Sequence, residues 1–350
     1  MLEFFLPPIE KLFLYCLSIF SIQSIHYLMT RYFSIGLIVL LFACKNRSPK
    51  KPIEIENKSE ELLAAKPTIS FTFDDGITSE LAGFEFEEWN NMILSHLDTN
   101  NLKSIFFVTG RNKTDDKGQF LLDSWNSNGH KIANHTFNHL NFNADKNDAV
   151  LFEIELNKTH EIISKLSNSV KLFRFPYLKE GAKKLKVDSL RNILSTHGYR
   201  NGYVTIDASD WYINQRLIKR INEVGFENTD IEKFKKFYKQ HLVDKANYYE
   251  SLSYELNDRH ISHTLLLHHN LTSALFLGDL IKEFKKMRWN VIDAEEAYKD
   301  NIFTKQPNSE YAGESLIWSL AKQSGKYEGL LRYPPEDSKY EKAEMDARGL

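Results

Sequence analysis

Two adjacent carboxylates, Asp74 and Asp75, follow an alternating apolar run that begins at Ile69, and they precede Gly76. At the C-terminal end of a strand, two such side chains can divide the work of a hydrolytic site: one binds a metal while the other accepts a proton. An Asp-Gly pair is also common in ordinary turns, so these residues alone leave both interpretations open.

Two histidines, His135 and His139, form a second candidate group. Their spacing predicts that both lie on one side of a helical turn, which is a usual arrangement for two imidazoles on one metal. Beside Asp75 they would complete a His-His-carboxylate set with an open coordination position. That set is the pattern of a hydrolytic zinc site.

Three further strand-like runs end in polar residues. Arg174 could hold a carboxylate, although a strand exit broken by Pro176 is the simpler alternative. Asp210 and Trp211 could begin a helix as a cap and a core residue, or could take part in a site. His268 ends the last of these runs, and a histidine there can titrate near neutral pH and serve as a general acid.

The elements that must position these residues alternate short β-rich runs with longer helical patterns from Thr68 onward. The predicted strands are Thr68–Phe73, Lys103–Thr109, His130–Ala133, Val170–Phe173, Gly202–Ile206, Thr264–His268 and Asn290–Ile292. The predicted helices are Glu85–Thr99, Phe120–Asn128, Asp148–Leu166, Lys183–His197 and Leu277–Met287. This alternation predicts an α/β fold with a parallel sheet, and about seven strands favour a distorted (β/α) barrel.

Two segments depart from this alternation. The polar stretch 212–262 is expected to be a helical insertion whose lysines form a solvated face. Residues 301–350 are expected to be a C-terminal extension that either packs on the domain or is loosely attached.

The composition limits the classes of protein to which this chain can belong. Lys and Arg number 45 against 47 Asp and Glu, a formal net charge of −2, which argues against a nucleic-acid-binding protein with a broad basic face. Hydrophobic residues at 42% and charged residues at 26% are ordinary for a globular chain. The aromatic content of 13% would suit a carbohydrate-binding surface, but a phenylalanine-rich core explains it more simply.

The N-terminal region predicts export. Residues 1–43 contain an apolar core from Ser34 to Ala43 behind Arg31, and we expect Met29 to be the true start. The small residue before Cys44 resembles the bacterial lipobox, which implies cleavage there, a lipid on the thiol and a cell-envelope location. Residues 45–66 would be a polar tether. Two short membrane spans within 12–43 are the alternative.

Taken in order, the five motifs resemble those of the polysaccharide deacetylase family, also called the NodB-homology domain or carbohydrate esterase family 4. The matching segments are Thr72-Phe-Asp-Asp-Gly76, His135-Thr-Phe-Asn-His139, Arg174-Phe-Pro-Tyr177, Asp207-Ala-Ser-Asp-Trp211 and Leu266-Leu-His268. The resemblance covers about residues 67–300 and implies a metal-dependent hydrolase that removes acetyl groups from a carbohydrate through amide-bond cleavage. An N-acetylglucosamine polymer is the favoured substrate and an O-acetylated glycan the second possibility.

The resemblance also implies a role for each matching residue. Asp74 is the general base, and Arg174 positions and electrostatically tunes it. The ligands of a divalent metal, usually zinc, are Asp75, His135 and His139.

The remaining roles concern the acid and the substrate. His268 is the general acid, Asp210 orients it and Trp211 walls the groove. The backbone N–H of Tyr177 helps form an oxyanion hole, and Leu266 lines an acetyl pocket.

Two positions depart from the family pattern. Leu178 stands where many members have glycine, and His269 follows the acidic His268 where many have aspartate. Two other functions stay open at this point. One is a non-catalytic glycan-binding lipoprotein with the same fold, and the other is a barrel hydrolase of a small amide or cyclic imide.

Overall fold

The structure, a computed structural model, describes residues 66–332 and 338–350, which belong to one compact unit. The signal region 1–43, Cys44 and the tether as far as residue 65 lie outside the described residues. Within the described ranges, no helix is both long enough and apolar enough to cross a membrane.

Strands and helices alternate along most of the chain. The strands are β1 (Thr68–Asp75), β2 (Ile105–Val108), β3 (Lys131–Asn134), β4 (Ser169–Phe173), β5 (Arg200–Asn201), β6 (Ser262–His268) and β7 (Asn290–Val291). The helices between them are α1 (Phe86–Thr99), α2 (Asp116–Ser127), α3 (Ala149–Ile163), α4 (Lys184–Thr196), α5 (Asp210–Val224), α6 (Ile231–Asn257) and α7 (Leu271–Lys286). After β7 come α8 (Ala294–Ala297), α9 (Leu316–Ser324) and α10 (Ser338–Ala347).

All seven strands form one parallel sheet in the order β5-β4-β3-β2-β1-β6, with β7 paired to the start of β1. Beyond β5 the chain crosses to the opposite edge. There the N–H of Ile206 donates to the carbonyl of Thr264 at 3.0 Å, and the N–H of Leu266 donates to Ile206 at 3.1 Å. The sheet is therefore curled into a distorted barrel, and the predicted fold class is confirmed.

Two boundaries differ from the predicted ones for identifiable reasons. No regular strand covers the predicted range Gly202–Ile206. Strand β5 ends at Asn201, the carbonyl of Gly202 accepts from Arg174 Nε at 2.9 Å, and Ile206 forms an isolated bridge to Leu265. Helix α7 begins six residues earlier than Leu277, where Asn270 Oδ1 caps the N–H of Ser273 at 2.9 Å.

Two helices occupy the predicted insertion. In α6, Phe234, Phe237 and Tyr238 are buried, whereas Lys233 and Lys236 are exposed to solvent as the lysine-rich pattern predicted. An amphipathic helix of this kind is stabilised by packing its apolar face rather than by its own propensity.

The C-terminal extension packs on the domain. Leu316, Ile317 and Trp318 of α9 are buried, and the N–H of Leu316 donates to the carbonyl of Val204 at 2.7 Å. Of the two alternatives left open by the sequence, the packed arrangement is the one observed.

Candidate active site

A cavity of about 520 Å³ opens at the C-terminal end of the sheet, where side chains from several strand ends converge. The lining residues that the sequence singled out are Asp74, Asp75, His135, His139, Tyr177, Trp211, Leu266 and His268. Arg174 and Asp210 are buried behind this lining, in contact with Asp74 and His268 respectively. The structure thus brings together every candidate site residue in its described part.

Asp75, His135 and His139 form a group that could hold a metal ion, with one ligand atom from each lying within 4.8 Å of the others. Asp75 Oδ1 is 3.6 Å from His135 Nε2 and 3.3 Å from His139 Nε2. This oxygen is buried and has no hydrogen-bond partner, although buried carboxylate oxygens normally have one. A cation between these three atoms would satisfy it.

The state of His135 also suits a metal ligand. Its Nδ1 lies 2.8 Å from the carbonyl oxygen of Arg174, which can only accept, so Nδ1 carries the proton and Nε2 presents its lone pair to the cavity. Burial lowers the pKa of His135 to about 4 and that of His139 to about 4, so both rings are neutral at pH 7.

The backbone re-aims the carboxylate of Asp75. Successive strand residues normally point to opposite faces, yet both carboxylates line one cavity. Asp75 has a φ of 81° and Gly76 a φ of 86°, so the chain leaves the regular strand geometry at the point where the ligand is needed. Glycine suits position 76 because a φ of 86° strains residues that carry a Cβ.

The prediction of a helical turn between His135 and His139 was wrong. This segment is an irregular loop after β3, with positive φ at Thr136 (65°) and His139 (57°). The N–H of His139 donates to Thr136 Oγ1 at 3.0 Å, and the N–H of Thr136 donates to Asn134 Oδ1 at 3.0 Å. Side-chain hydrogen bonds replace the helical ladder here and still bring both rings to Asp75.

Asp74 is almost fully buried, and its Oδ1 accepts from Arg174 Nη1 at 2.5 Å. Burial raises the pKa of Asp74 to about 6, although the adjacent Arg174 acts to lower it. A carboxyl of this pKa is mostly ionised at pH 7 and can still take up a proton, which is the property required of a general base.

His268 projects into the cavity from the end of β6. Its Nδ1 lies 2.6 Å from Asp210 Oδ1, and its backbone N–H donates to Asp210 Oδ2 at 2.8 Å. Burial acts to lower the pKa of His268, but the buried carboxylate of Asp210 outweighs it and raises the pKa to about 10. The ring is therefore protonated at neutral pH, with Nε2 as its remaining donor.

The neighbouring His269 points the other way. Its ring is buried against Trp89 at a centroid distance of 4.3 Å, and Nε2 lies 3.0 Å from Asn90 Oδ1. The departure from the family pattern at this position is thus a core residue outside the cavity.

The other departure, Leu178, lines the cavity together with the predicted substrate-binding residues. Tyr177 is more than half exposed and has a φ of 58°, and its ring packs at an angle of 57° to that of His139, with 4.6 Å between the ring centroids. Leu178 has a φ of 54°, a conformation that glycine adopts without strain. Trp211 and Leu266 lie among the other lining residues.

The model of the family described as polysaccharide deacetylase matches residues 63–202, which include the first three motifs. This match places residues 63–202 in the polysaccharide deacetylase family. Deacetylases of this family generally depend on a divalent metal and act on acetylated carbohydrates. Asp210, Trp211 and His268 lie beyond the matched residues, and the fold brings them to the same cavity.

Several solved structures are similar to this chain. A wild-type CE4 family pseudoenzyme from Bacillus anthracis is 17% identical, with a TM-score of 0.47 and coverage of 66% of this chain and 65% of its own. The peptidoglycan deacetylase PdaC from Bacillus subtilis is 22% identical, with a TM-score of 0.43 and coverage of 67% and 92%. The chitin deacetylase from the fungal pathogen Colletotrichum lindemuthianum is 16% identical, with a TM-score of 0.46 and coverage of 66% and 88%. No curated protein matches the sequence significantly.

Two residues that stabilise the candidate site were not predicted from the sequence. Tyr298 is buried, and its hydroxyl accepts from Arg174 Nη2 at 2.9 Å while donating to the carbonyl of Tyr203 at 2.9 Å. Glu155 on α3 accepts the backbone N–H groups of Phe137 at 3.1 Å and Asn138 at 2.5 Å. The only sequence signal for Glu155 is a carboxylate on the apolar face of an amphipathic helix.

Proposed function

We propose that this protein is a Zn²⁺-dependent deacetylase of N-acetylated carbohydrate, with a polymer of N-acetylglucosamine as the favoured substrate. The observation that carries this proposal is that one cavity contains the Asp75-His135-His139 group, a carboxylate base and a protonated histidine. A binding protein has no need of a base and an acid beside a metal site.

The chain's own residues divide the reaction between them. A divalent cation held by the three ligands would polarise the acetyl carbonyl and lower the pKa of a water molecule. Asp74 takes a proton from the attacking water, while Arg174 keeps the carboxylate oriented through its 2.5 Å hydrogen bond. The backbone N–H of Tyr177 donates to the oxygen that becomes negative as the carbonyl carbon turns tetrahedral.

His268 completes the reaction. It donates its Nε2 proton to the leaving nitrogen as the carbon–nitrogen bond breaks, which releases acetate and a free amino sugar. Asp210 stabilises the protonated ring and fixes its orientation through Nδ1. The exposed ring of Tyr177 and the half-buried ring of Trp211 provide apolar faces on which a pyranose can stack.

The test is acetate release from penta-N-acetylchitopentaose and from acetylated xylan, before and after removal of metal by a chelator. Release from the chitin oligomer that stops with chelator and returns with Zn²⁺ is expected. Release only from the xylan would move the substrate to O-acetylated glycans. Metal-loaded protein that binds glycan and releases no acetate would establish the binding-protein alternative, and turnover of a small amide or cyclic imide alone would establish the other.

The metal site has a separate test. Protein lacking residues 1–43 should bind about one ion per chain, as three ligands and an open position predict. The His135→Ala/His139→Ala double variant should lose it. Stoichiometric metal in that variant would contradict the assigned ligands.

We also propose that the protein is a lipoprotein of the cell envelope, held to a membrane by a lipid on Cys44. The support is the sequence pattern before Cys44, which lies outside the described residues. Cys44→Ser should move the protein from the membrane fraction to the soluble fraction, because a lipid anchor is lost with the thiol. Unchanged membrane retention would favour the two-span alternative for residues 12–43.

A further inference from the structure

The C-terminal helix α10 reaches the residue that precedes Asp210. Ser209 occupies the N-cap position of α5, yet its side chain makes no capping hydrogen bond. Its hydroxyl instead donates to Glu341 Oε2 on α10 at 3.2 Å, and its backbone N–H donates to His241 Nε2 on α6 at 3.2 Å. Ser209 is fully buried, and Glu341 is 3% exposed.

Glu341 is itself held in place from its other side. Its Oε1 accepts from Arg332 Nη2 at 2.9 Å, which neutralises the buried carboxylate. A second contact anchors α10 to α5, where Arg216 Nη1 donates to Asp346 Oδ1 at 2.7 Å. Helix α10 therefore contacts the beginning of α5 through the buried Glu341 and the middle of α5 through the more exposed Asp346.

The next residue along the chain, Asp210, connects this contact with His268. Asp210 is fully buried and holds His268 by two hydrogen bonds of 2.6 and 2.8 Å, so the position of the imidazole follows the position of the first turn of α5. Misplacement of a catalytic group by 1 Å can cost about 100-fold in rate. The contact between α10 and Ser209 can therefore influence the position of His268 through Asp210.

We propose that Glu341 is a positioning residue for the general acid, acting through Ser209 and Asp210. This inference rests on the proposed deacetylase function, because it requires that His268 protonates the leaving group. It assigns a catalytic contribution to the C-terminal extension, which lies outside all five sequence motifs.

The leaving group separates positioning from simple structural support. An amine cannot leave without a proton, whereas 4-nitrophenolate leaves as an anion and needs no acid. A variant with a displaced His268 should therefore lose turnover of penta-N-acetylchitopentaose and keep turnover of 4-nitrophenyl acetate. A variant that merely loosens the fold should lose both in proportion.

Two variants remove the same hydrogen bond from its two ends. Glu341→Ala and Ser209→Ala should each lower kcat for the chitin oligomer by about 10–100-fold, the range for partners that orient a functional group, with KM little changed. Each should lower 4-nitrophenyl acetate turnover by less than about 3-fold. The double variant should be no worse than the poorer single one, because both single variants already lack the Ser209–Glu341 hydrogen bond.

The matched control is Glu344→Ala, which removes an exposed carboxylate from the same helix, where it pairs with Arg348. It should retain both activities. His268→Ala provides the reference for complete loss of the acid, and urea denaturation monitors folding of every variant. Ser209→Ala deletes one oxygen atom, so it keeps the test decisive if Glu341→Ala does not fold.

Equal losses on both substrates, or no loss on either, in folded Glu341→Ala and Ser209→Ala would overturn the positioning role while leaving the deacetylase assignment intact. Wild-type protein that releases no acetate from the chitin oligomer would instead overturn the proposed function, and the positioning role with it. A leaving-group-dependent loss matching that of His268→Ala in kind and smaller in size is the expected result.

Discussion

Replacing Glu155 should loosen the loop that carries His139 and weaken metal binding without touching a ligand. Glu155 is 1% exposed, and its two oxygens accept three hydrogen bonds from the loop. These come from the backbone N–H groups of Phe137 and Asn138, at 3.1 and 2.5 Å, and from Asn138 Nδ2 at 2.8 Å. Glu155→Ala leaves all three donors without this acceptor.

The size of the effect follows from the number of donors. A buried donor left unsatisfied costs about 1–3 kcal/mol, and the loop is only partly buried, so water can replace some of the lost bonds. We therefore take the lower end for the two backbone groups, about 2 kcal/mol in total. If the loop must become ordered before His139 can bind, the metal affinity falls by the same free energy, which is about 30-fold.

The assay is a competition titration of metal-free protein against a chromophoric chelator of known zinc affinity, with urea denaturation in parallel. Glu155→Ala should show weaker zinc binding by about 10–100-fold, the range found for groups that orient metal ligands. Glu161→Ala removes an exposed carboxylate from the same helix and should bind zinc as the wild type does. Wild-type zinc affinity in a folded Glu155→Ala protein would refute the reasoning.

Three further predictions concern other parts of the molecule. Asp75→Asn should lose metal and activity together, whereas Asp74→Asn should keep the metal and lose about 10²–10⁴-fold in kcat. Loss of metal in both variants would show that both aspartates are ligands. Gly76→Ala should lower the free energy of unfolding by at least about 1–2 kcal/mol, because φ is 86° and the new Cβ would meet Lys113 at 2.9 Å; an unchanged urea midpoint would contradict this. Burial, reinforced by a nearby arginine, lowers the pKa of His241 to about 3, so its contribution to stability is present above pH 6.5 and is lost as the pH falls toward 3. His241→Gln should therefore flatten the pH dependence of the free energy of unfolding, measured with urea, in this range. An unaltered slope would argue against a neutral buried ring.

The strand ends were predictable from the sequence because each is a local pattern. Short apolar runs that stop at Asp74, Arg174 and His268 indicate strands whose last residues carry polar side chains, and parallel pairing places these ends at one edge. Two of the five predicted helix starts, Phe120 and Leu277, were too late because a capping side chain extends the helix beyond its apolar period. Asp115 and Asn270 both do so, and their hydrogen bonds add a first turn that hydrophobicity alone does not reveal.

The supporting residues could not be predicted because their partners are distant along the chain. Glu341 lies 132 positions from Ser209, and Tyr298 lies 124 positions from Arg174. No local period links such pairs, and each becomes visible only when the barrel closes. The irregular loop from His135 to His139 could not be predicted for the same reason, since Glu155 stabilises it from a different element.

Backbone conformation explains why predictions of secondary structure from local sequence fail at the cavity and hold elsewhere. In the described part of the chain, five of the eleven non-glycine residues with positive φ line this cavity: Asp75, His139, Tyr177, Leu178 and Glu314. A left-handed conformation costs such residues about 1–2 kcal/mol each, so their own propensities oppose the observed geometry. The geometry persists because buried groups on other elements hold it, as Glu155 does for the loop of His139. Substitutions in those distant groups should therefore impair the site before they unfold the barrel.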